Sequence, residues 1–336
     1  MLLFNLSSPV VFLHDSTISA FSRTTHSKPA GLSKHQYTWP VTQKGLILFS
    51  LTGFFWGLPY FFIVLALDSF STPSIVFLRV FLGALVLIPY AIYAGGLAKA
   101  LKAWPYVLIF AVTEMVVPWW LITEAGKHIP SGLSGLLVAT VPFFVVAILA
   151  IFLKDRKALQ PRPLIGMLIG FLGVAALVGV DSFTGAIDPL YVFFVILASL
   201  GYAVAPIVAN LKLKDVSSAS MIGLSMLMVS VAYAPFSLPN LGAEFAGASV
   251  ESLIAVLVLG LVCSAAAFVV FFRLIKEIGP AKSSLITYVN TAVALFLGIV
   301  FLNEPITIGL LIGIPLITLG LVLAGGGNRE TETSKA

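Results

Sequence analysis

IGPAKSSLITYVNTAVALFLGIVFLNE, residues 278–304, repeats without a gap the pattern of IPSGLSGLLVATVPFFVVAILAIFLKD, residues 129–155. Ser134 falls on Ser283, Leu136 on Leu285, Phe152 and Leu153 on Phe301 and Leu302, and Asp155 on Glu304. Beyond each copy, Gly166, Gly173 and Gly179 keep the spacing of Gly313, Gly320 and Gly326. One apolar hairpin has been used twice, and a repeat of this kind decides the architecture.

The rest of the chain fits a lipid setting. Of its 336 residues, 59% are hydrophobic and only 10% charged, and its mean hydropathy is +1.07. A soluble domain carries roughly 25% charge. In lipid only helices and closed barrels satisfy their own backbone. The apolar runs are too long and unbroken for barrel strands, which alternate over roughly 10 residues. The expected fold is an all-α integral membrane protein.

From Lys44 onward ten apolar runs approach the roughly 20 residues that span a bilayer. They cover about 46–66, 73–94, 105–123, 130–153, 163–180, 189–210, 218–238, 251–273, 280–302 and 306–325. With the N-terminus inside, all but two of the 19 lysines and arginines fall on the cytoplasmic side, as cytoplasmic loops prefer. The exceptions are Lys127, in an outer loop, and Arg79, within a span. Ten transmembrane helices with both termini cytoplasmic follow. Five is odd, so the second set of five enters from the opposite face: two inverted five-helix repeats, a plan common among secondary transporters.

The domain boundaries expected are 44–180 for the first repeat, 181–326 for the second and 327–336 for a polar C-terminal tail. Residues 1–43 are rich in Ser and Thr and hold one acid, Asp15. They read as a disordered tail, a start-site artefact or a targeting segment.

Several chemistries are excluded or disfavoured. Cys263 is the only cysteine, so no intrachain disulfide forms. Only His128 of the four histidines lies among the spans, and no His/Cys metal cluster is assembled. The net charge of +5 sits in short loops between apolar runs, so nucleic acid is not a partner. No nucleotide-binding or hydrolase motif is present. No cofactor is expected and no enzyme activity.

The order of motifs resembles the EamA type of the drug/metabolite transporter superfamily over essentially all of 44–326. The first half carries Trp56-Gly57, Pro73 and Arg79, then Thr140 to Pro142, then Asp155. The second carries Ile278-Gly279-Pro280, then Leu302-Asn303-Glu304-Pro305, then Gly313 and Gly320. The sequence departs from the family pattern at Asn290-Thr291, where a proline is usual, and at Lys154-Asp155, where Gly-Glu is usual. The resemblance implies a transporter, usually an exporter, of small metabolites, in the cell (inner) membrane.

Among candidate residues Glu114 stands out, midway along span three. A carboxylate at the bilayer centre costs several kcal/mol on insertion scales (about 2.5–3.5 for Asp), so it is as a rule functional. Proton exchange there is the expected coupling. Pro118, one turn on, frees a backbone carbonyl. Arg79, two turns into span two, is a candidate partner for Glu114, with outward snorkelling as the alternative. Trp119 and Trp120, and Trp56 and Tyr60, either stack on a solute or belong to the aromatic belt.

In span nine Ser284, Thr287, Tyr288 and Thr291 recur at helical spacing, with Asn290 alongside. They are candidates for lining a cavity, as are Thr140, Tyr202, Ser264 and Phe268. Asp155 and Glu304 read as structural, with Glu304-Pro305 opening span ten. Pro142 belongs with them. Gly53/Gly57, Gly166/Gly170 and Gly309/Gly313 are GxxxG pairs for close helix packing, within one chain or between two copies, so a monomer or a homodimer is expected.

The leading expectation is an alternating-access secondary transporter exporting a small organic solute, with protons as coupling ion. One rival is an organelle organic-phosphate or nucleotide-sugar exchanger, which needs basic residues facing the cavity. Another is an intramembrane enzyme acting on lipid-linked substrates, which needs convergent acid/base groups. A third is a membrane partner without transport.

Overall fold

The computed structural model describes residues 42–152, 154, 160–183, 188–278, 283 and 286–325. The tails expected at 1–43 and 327–336 lie outside these residues, apart from Thr42 and Gln43. So do Asp155 and Ser284. Every element among the described residues is helical.

The helices are α1 Gln43–Leu67, α2 Thr72–Tyr93, α3 Leu97–Lys102, α4 Trp104–Ala111, α5 Val117–Ala125, α6 Ser131–Val138, α7 Val141–Ile151 and α8 Pro161–Phe183. Then come α9 Pro189–Lys212, α10 Ser218–Gly247, α11 Val250–Leu257, α12 Ala267–Ile278, α13 Ile286–Phe301 and α14 Ile308–Gly325. Seven stretches are long and apolar enough to cross a bilayer: 43–67, 72–93, 104–125, 131–151, 189–212, 218–247 and 250–278. Shorter apolar helices cover Leu164–Leu177, Ile286–Phe301 and Ile308–Gly320.

Short polar side chains start the helices. Thr42 accepts from Gly45 N at 3.0 Å at the head of α1, and Asp188 from Leu190 N at 2.9 Å at the head of α9. Ser217 and Ser249 do the same for α10 and α11. Each satisfies an amide that the first helical turn leaves unpaired. The fourth apolar run breaks at Ala139-Thr140, where the Thr140 hydroxyl donates to Leu137 O at 2.7 Å. Pro142 then sits in the first turn of α7, the position proline tolerates.

Glycine sets how the helices meet. A Cβ on Gly320 of α14 would lie 2.6 Å from Gly166 O and 2.5 Å from Gly170 N of α8. Further along, Gly173 meets Leu316 and Ile317, and Gly313 meets Leu177. Residue numbers rise on one helix as they fall on the other, so α8 and α14 run antiparallel. The same holds for α2 and α10, where Gly83 meets Met226 and Gly223 meets Leu87. It holds again for α6 and α13, where Gly135 meets Ala294 and Gly132 meets Leu295. By contrast α1 and α13 run parallel, with Gly53 against Val289 and Gly57 against Val293. Three helix pairs that correspond in the sequence repeat thus cross in opposite directions. The glycine pairs on α1 and α8 serve contacts within the chain.

Glu304 does a different job from the one its position suggests. Helix α14 begins only at Ile308, after the non-helical stretch that holds Pro305, and Thr307 Oγ1 accepts from Leu310 N at 3.1 Å. The Glu304 carboxylate instead accepts from Ser131 N at 2.5 Å and Gly132 N at 3.0 Å. It caps α6, in the other copy of the repeat. The reason is geometric: Asn303 has φ 54°, a left-handed conformation that asparagine tolerates, and this turns the chain back toward α6. Lys154, the repeat counterpart of Asn303, has φ 50°.

Candidate functional site

Two of the long helices widen midway. Val112–Val116 joins α4 to α5 as a π-helical stretch, and Val258–Ala266 joins α11 to α12 as another. Such stretches are rare and recur at functional sites. They occupy the third apolar run of each half. The first carries Glu114, the second Cys263 and Ser264.

The first widening has an evident cause. Pro118 brings no N–H to the preceding turn. Carbonyls nearby then need other donors or close cover. The Tyr233 hydroxyl from α10 donates to Val116 O at 2.8 Å. Helix α9 comes close enough that a Cβ on Gly201 would lie 2.6 Å from Thr113 O. In the second widening the Ser264 hydroxyl donates to Leu259 O at 2.8 Å, five residues back.

Arg79 is the centre of the site. Its side chain is buried, 8% exposed. The guanidinium lies face-on to Trp119, 3.6 Å from the ring centroid. This is a cation–π contact, and Trp119 is itself buried. Nε–H donates to Ser264 Oγ at 2.9 Å. Tyr202, Cys263, Tyr60 and Glu114 lie within electrostatic reach. Helices α1, α2, α5 and α9 and both π stretches therefore meet here, drawn from both copies of the repeat.

The pairing of Arg79 with Glu114 considered from the sequence does not form. Among the described residues the ion pairs are Lys44–Glu277 and Lys127–Glu124, both at the periphery. Snorkelling does not occur either, because α2 packs on α10 and the guanidinium is held inward by Trp119 and Ser264. Glu114 is half-buried and accepts no hydrogen bond among the described residues.

The other candidates divide. Trp119, Tyr60, Tyr202 and Ser264 join Arg79. Trp56 packs instead on Phe268 and Phe271, with ring centroids 5.4 and 4.6 Å away. Trp120 leans on Phe194 at 6.1 Å. Thr140 spends its hydroxyl on its own backbone.

On α13, Thr291 donates to Thr287 O at 2.8 Å and to Gly135 O at 3.2 Å, so it ties α13 to α6. Asn290 is buried beside it, while Thr287 and Tyr288 are half-buried. Sequence reasoning missed Tyr233 and Cys263. A tyrosine inside an apolar run was the available signal for the first, since a buried phenol needs a partner.

The fold and this centre define a multi-pass helical membrane protein with a buried polar cluster shared by two copies of one repeat. The chain belongs to the EamA-like transporter family, whose sequence profile matches residues 43–179 and again 189–326. It is 24% identical over 307 residues to the uncharacterized transporter YvbV of Bacillus subtilis, covering 88% of this chain and 95% of that one. The uncharacterized inner membrane transporter YedA of Escherichia coli K12 is 25% identical over 80% of this chain and 88% of its own. A probable terminal-alkyne amino-acid exporter of Streptantibioticus cattleyicolor is 25% identical over 84% and 95% respectively. One solved crystal structure superposes with a TM-score of 0.57 at 19% identity, over 85% of this chain and 98% of that one, which speaks for the fold alone.

Proposed function

We propose that this transporter is a secondary exporter of a small organic metabolite or amphipathic compound, working by alternating access and driven by protons through Glu114. The observation that carries the reading is the half-buried carboxylate of Glu114 on a π-helical stretch, without an ion pair among the described residues and within electrostatic reach of buried Arg79. A carboxyl group in that setting loads and releases a proton as the surroundings open and close.

Ten spans in two inverted sets of five fit the antiparallel run of α2 on α10, α6 on α13 and α8 on α14. The cytoplasmic placement of both termini rests on the lysine and arginine asymmetry. The cell membrane as location rests on the bacterial relatives. With the glycine pairs of α1 and α8 occupied within the chain, a monomer is the working unit. Exchange of organic phosphates would call for more than the one cation that the described residues place at the centre.

The test is proton-driven solute flux in proteoliposomes, wild type against Glu114→Gln. The amide keeps size and hydrogen bonding but cannot titrate. Gradient-driven flux should fall at least ten-fold, while the protein still folds. Flux at wild-type level with unchanged pH dependence removes Glu114 from the coupling.

A further inference from the structure

The guanidinium of Arg79 is half used. Its Nε–H is committed to Ser264, whose own hydroxyl is committed to Leu259 O. One face is covered by Trp119. The four remaining N–H groups sit on the two terminal nitrogens. Among the described residues they make no hydrogen bond and no ion pair. They are not sealed off either: the fully enclosed polar side-chain atoms without a partner are Ser131 Oγ, Ser225 Oγ, Ser237 Oγ and Glu244 Oε2. Neither terminal nitrogen is therefore completely enclosed.

A buried cation without a partner is costly to keep in place. Here it is kept in a fixed orientation, by a ring beneath it and a serine behind it. An orientation fixed on two sides with the donor edge left free is what a planar, two-oxygen acceptor needs. Charge limits the choice further. Glu114 lies within reach of the same guanidinium, so a second and third negative charge would be repelled without a further cation to hold them. Among the described residues of the cluster no second cation is present.

We propose that the terminal nitrogens of Arg79, set by Trp119 and Ser264, bind the single carboxylate of a monoanionic organic solute in a two-pronged contact. The assignment rests on the transport reading, which it deepens by naming the solute class. Lysine cannot replace arginine in it, because an ammonium offers a point charge and not a fork.

Binding to the purified, full-length protein tests this without any flux. Three matched pairs serve as probes in calorimetric titrations: acetate and acetamide, 3-phenylpropionate and its amide, octanoate and its amide. Phenyl phosphate is the dianionic control. At least one acid should bind ten-fold or more tighter than its amide, and phenyl phosphate should bind more weakly than that acid. Arg79→Lys should fold and reduce the acid-to-amide ratio to about three-fold or less, and Arg79→Gln should abolish it.

Equal binding of acids and amides overturns the assignment, as does an undiminished ratio in Arg79→Lys, tighter phosphate binding, or no acid binding at all. Flux measured separately keeps the two readings apart. A protein that moves solutes without preferring acids loses only the carboxylate assignment. One that binds acids through Arg79 but moves nothing loses only the transport reading.

Discussion

Replacing Glu304 with alanine removes the contact that ties the loop between α13 and α14 to the head of α6. Two backbone amides lose their acceptor, Ser131 N at 2.5 Å and Gly132 N at 3.0 Å. Hydrogen bonds to a charged group contribute about 1.5–3 kcal/mol each. A carboxylate at a helix N-terminus adds about 0.3–1 kcal/mol through the helix dipole. The two bonds share one carboxylate, and water replaces part of what is lost at this half-buried site. A net destabilisation of about 3 kcal/mol is the expected size.

All eight residues of α6 are buried, so its first turn has little other access to solvent. Aspartate is shorter by one methylene and should recover only part of the loss. Glutamine keeps one acceptor oxygen but turns an N–H₂ toward the second amide, and should fall between alanine and the wild type. The assay is thermal unfolding of purified protein in one detergent, read as a midpoint and as the loss of monodisperse protein. An alanine variant that unfolds within a degree of wild type would refute the capping role. So would a glutamine variant that is less stable than the alanine one.

The remaining predictions concern packing, ends and orientation. Gly320→Leu should destabilise by more than the roughly 1–3 kcal/mol of ordinary overpacking, because the new side chain meets α8 backbone at Gly166 and Gly170. Gly242→Ala, inside α10 with nothing within 4 Å, should hold or raise the melting midpoint in the same assay, since alanine favours a helix over glycine by roughly 1 kcal/mol. Deleting residues 1–41 should leave a folded, active protein, whereas extending the deletion through Thr42 should cost about 1 kcal/mol, the usual worth of an N-cap; Thr42 also donates to Glu277 at 2.9 Å. Reporter fusions at Ala336 and between α8 and α9 should read cytoplasmic and external respectively, and an external C-terminus would sink the ten-span arrangement.

What was legible in the chain was what hydropathy and repetition encode. The copied hairpin at 129–155 and 278–304 and the apolar runs leave a mark that is local in sequence, whereas the break at Ala139-Thr140 inside the run 130–153 was not read from it. Glu114 and Arg79 were legible for the same reason, as charges within apolar runs. The partners of Arg79 were not, because a guanidinium two turns into one helix reaches whatever three or four others place around it. Ser264 is 185 positions away in the chain. The role of Glu304 was misplaced because its own helix was the nearest one in sequence, while the amides it serves lie in the other half. A left-handed residue at Asn303 decided the matter, and that conformation is chosen by tertiary contact as much as by residue type.

The π-helical stretches were the least legible, and they matter most for the site. A wide turn shifts every later side chain around the helix relative to an unbroken α-helix. In a polar-faced helix that shift would disturb the hydrophobic stripe; in VLGLVCSAA, almost wholly apolar, there is no stripe to disturb. Yet the shift falls where Ser264 meets Arg79, and the other falls at Glu114. Such π turns are rare and recur at functional sites. Glu114 and Ser264, which approach Arg79 from opposite halves of the chain, thus both stand on π-helical segments.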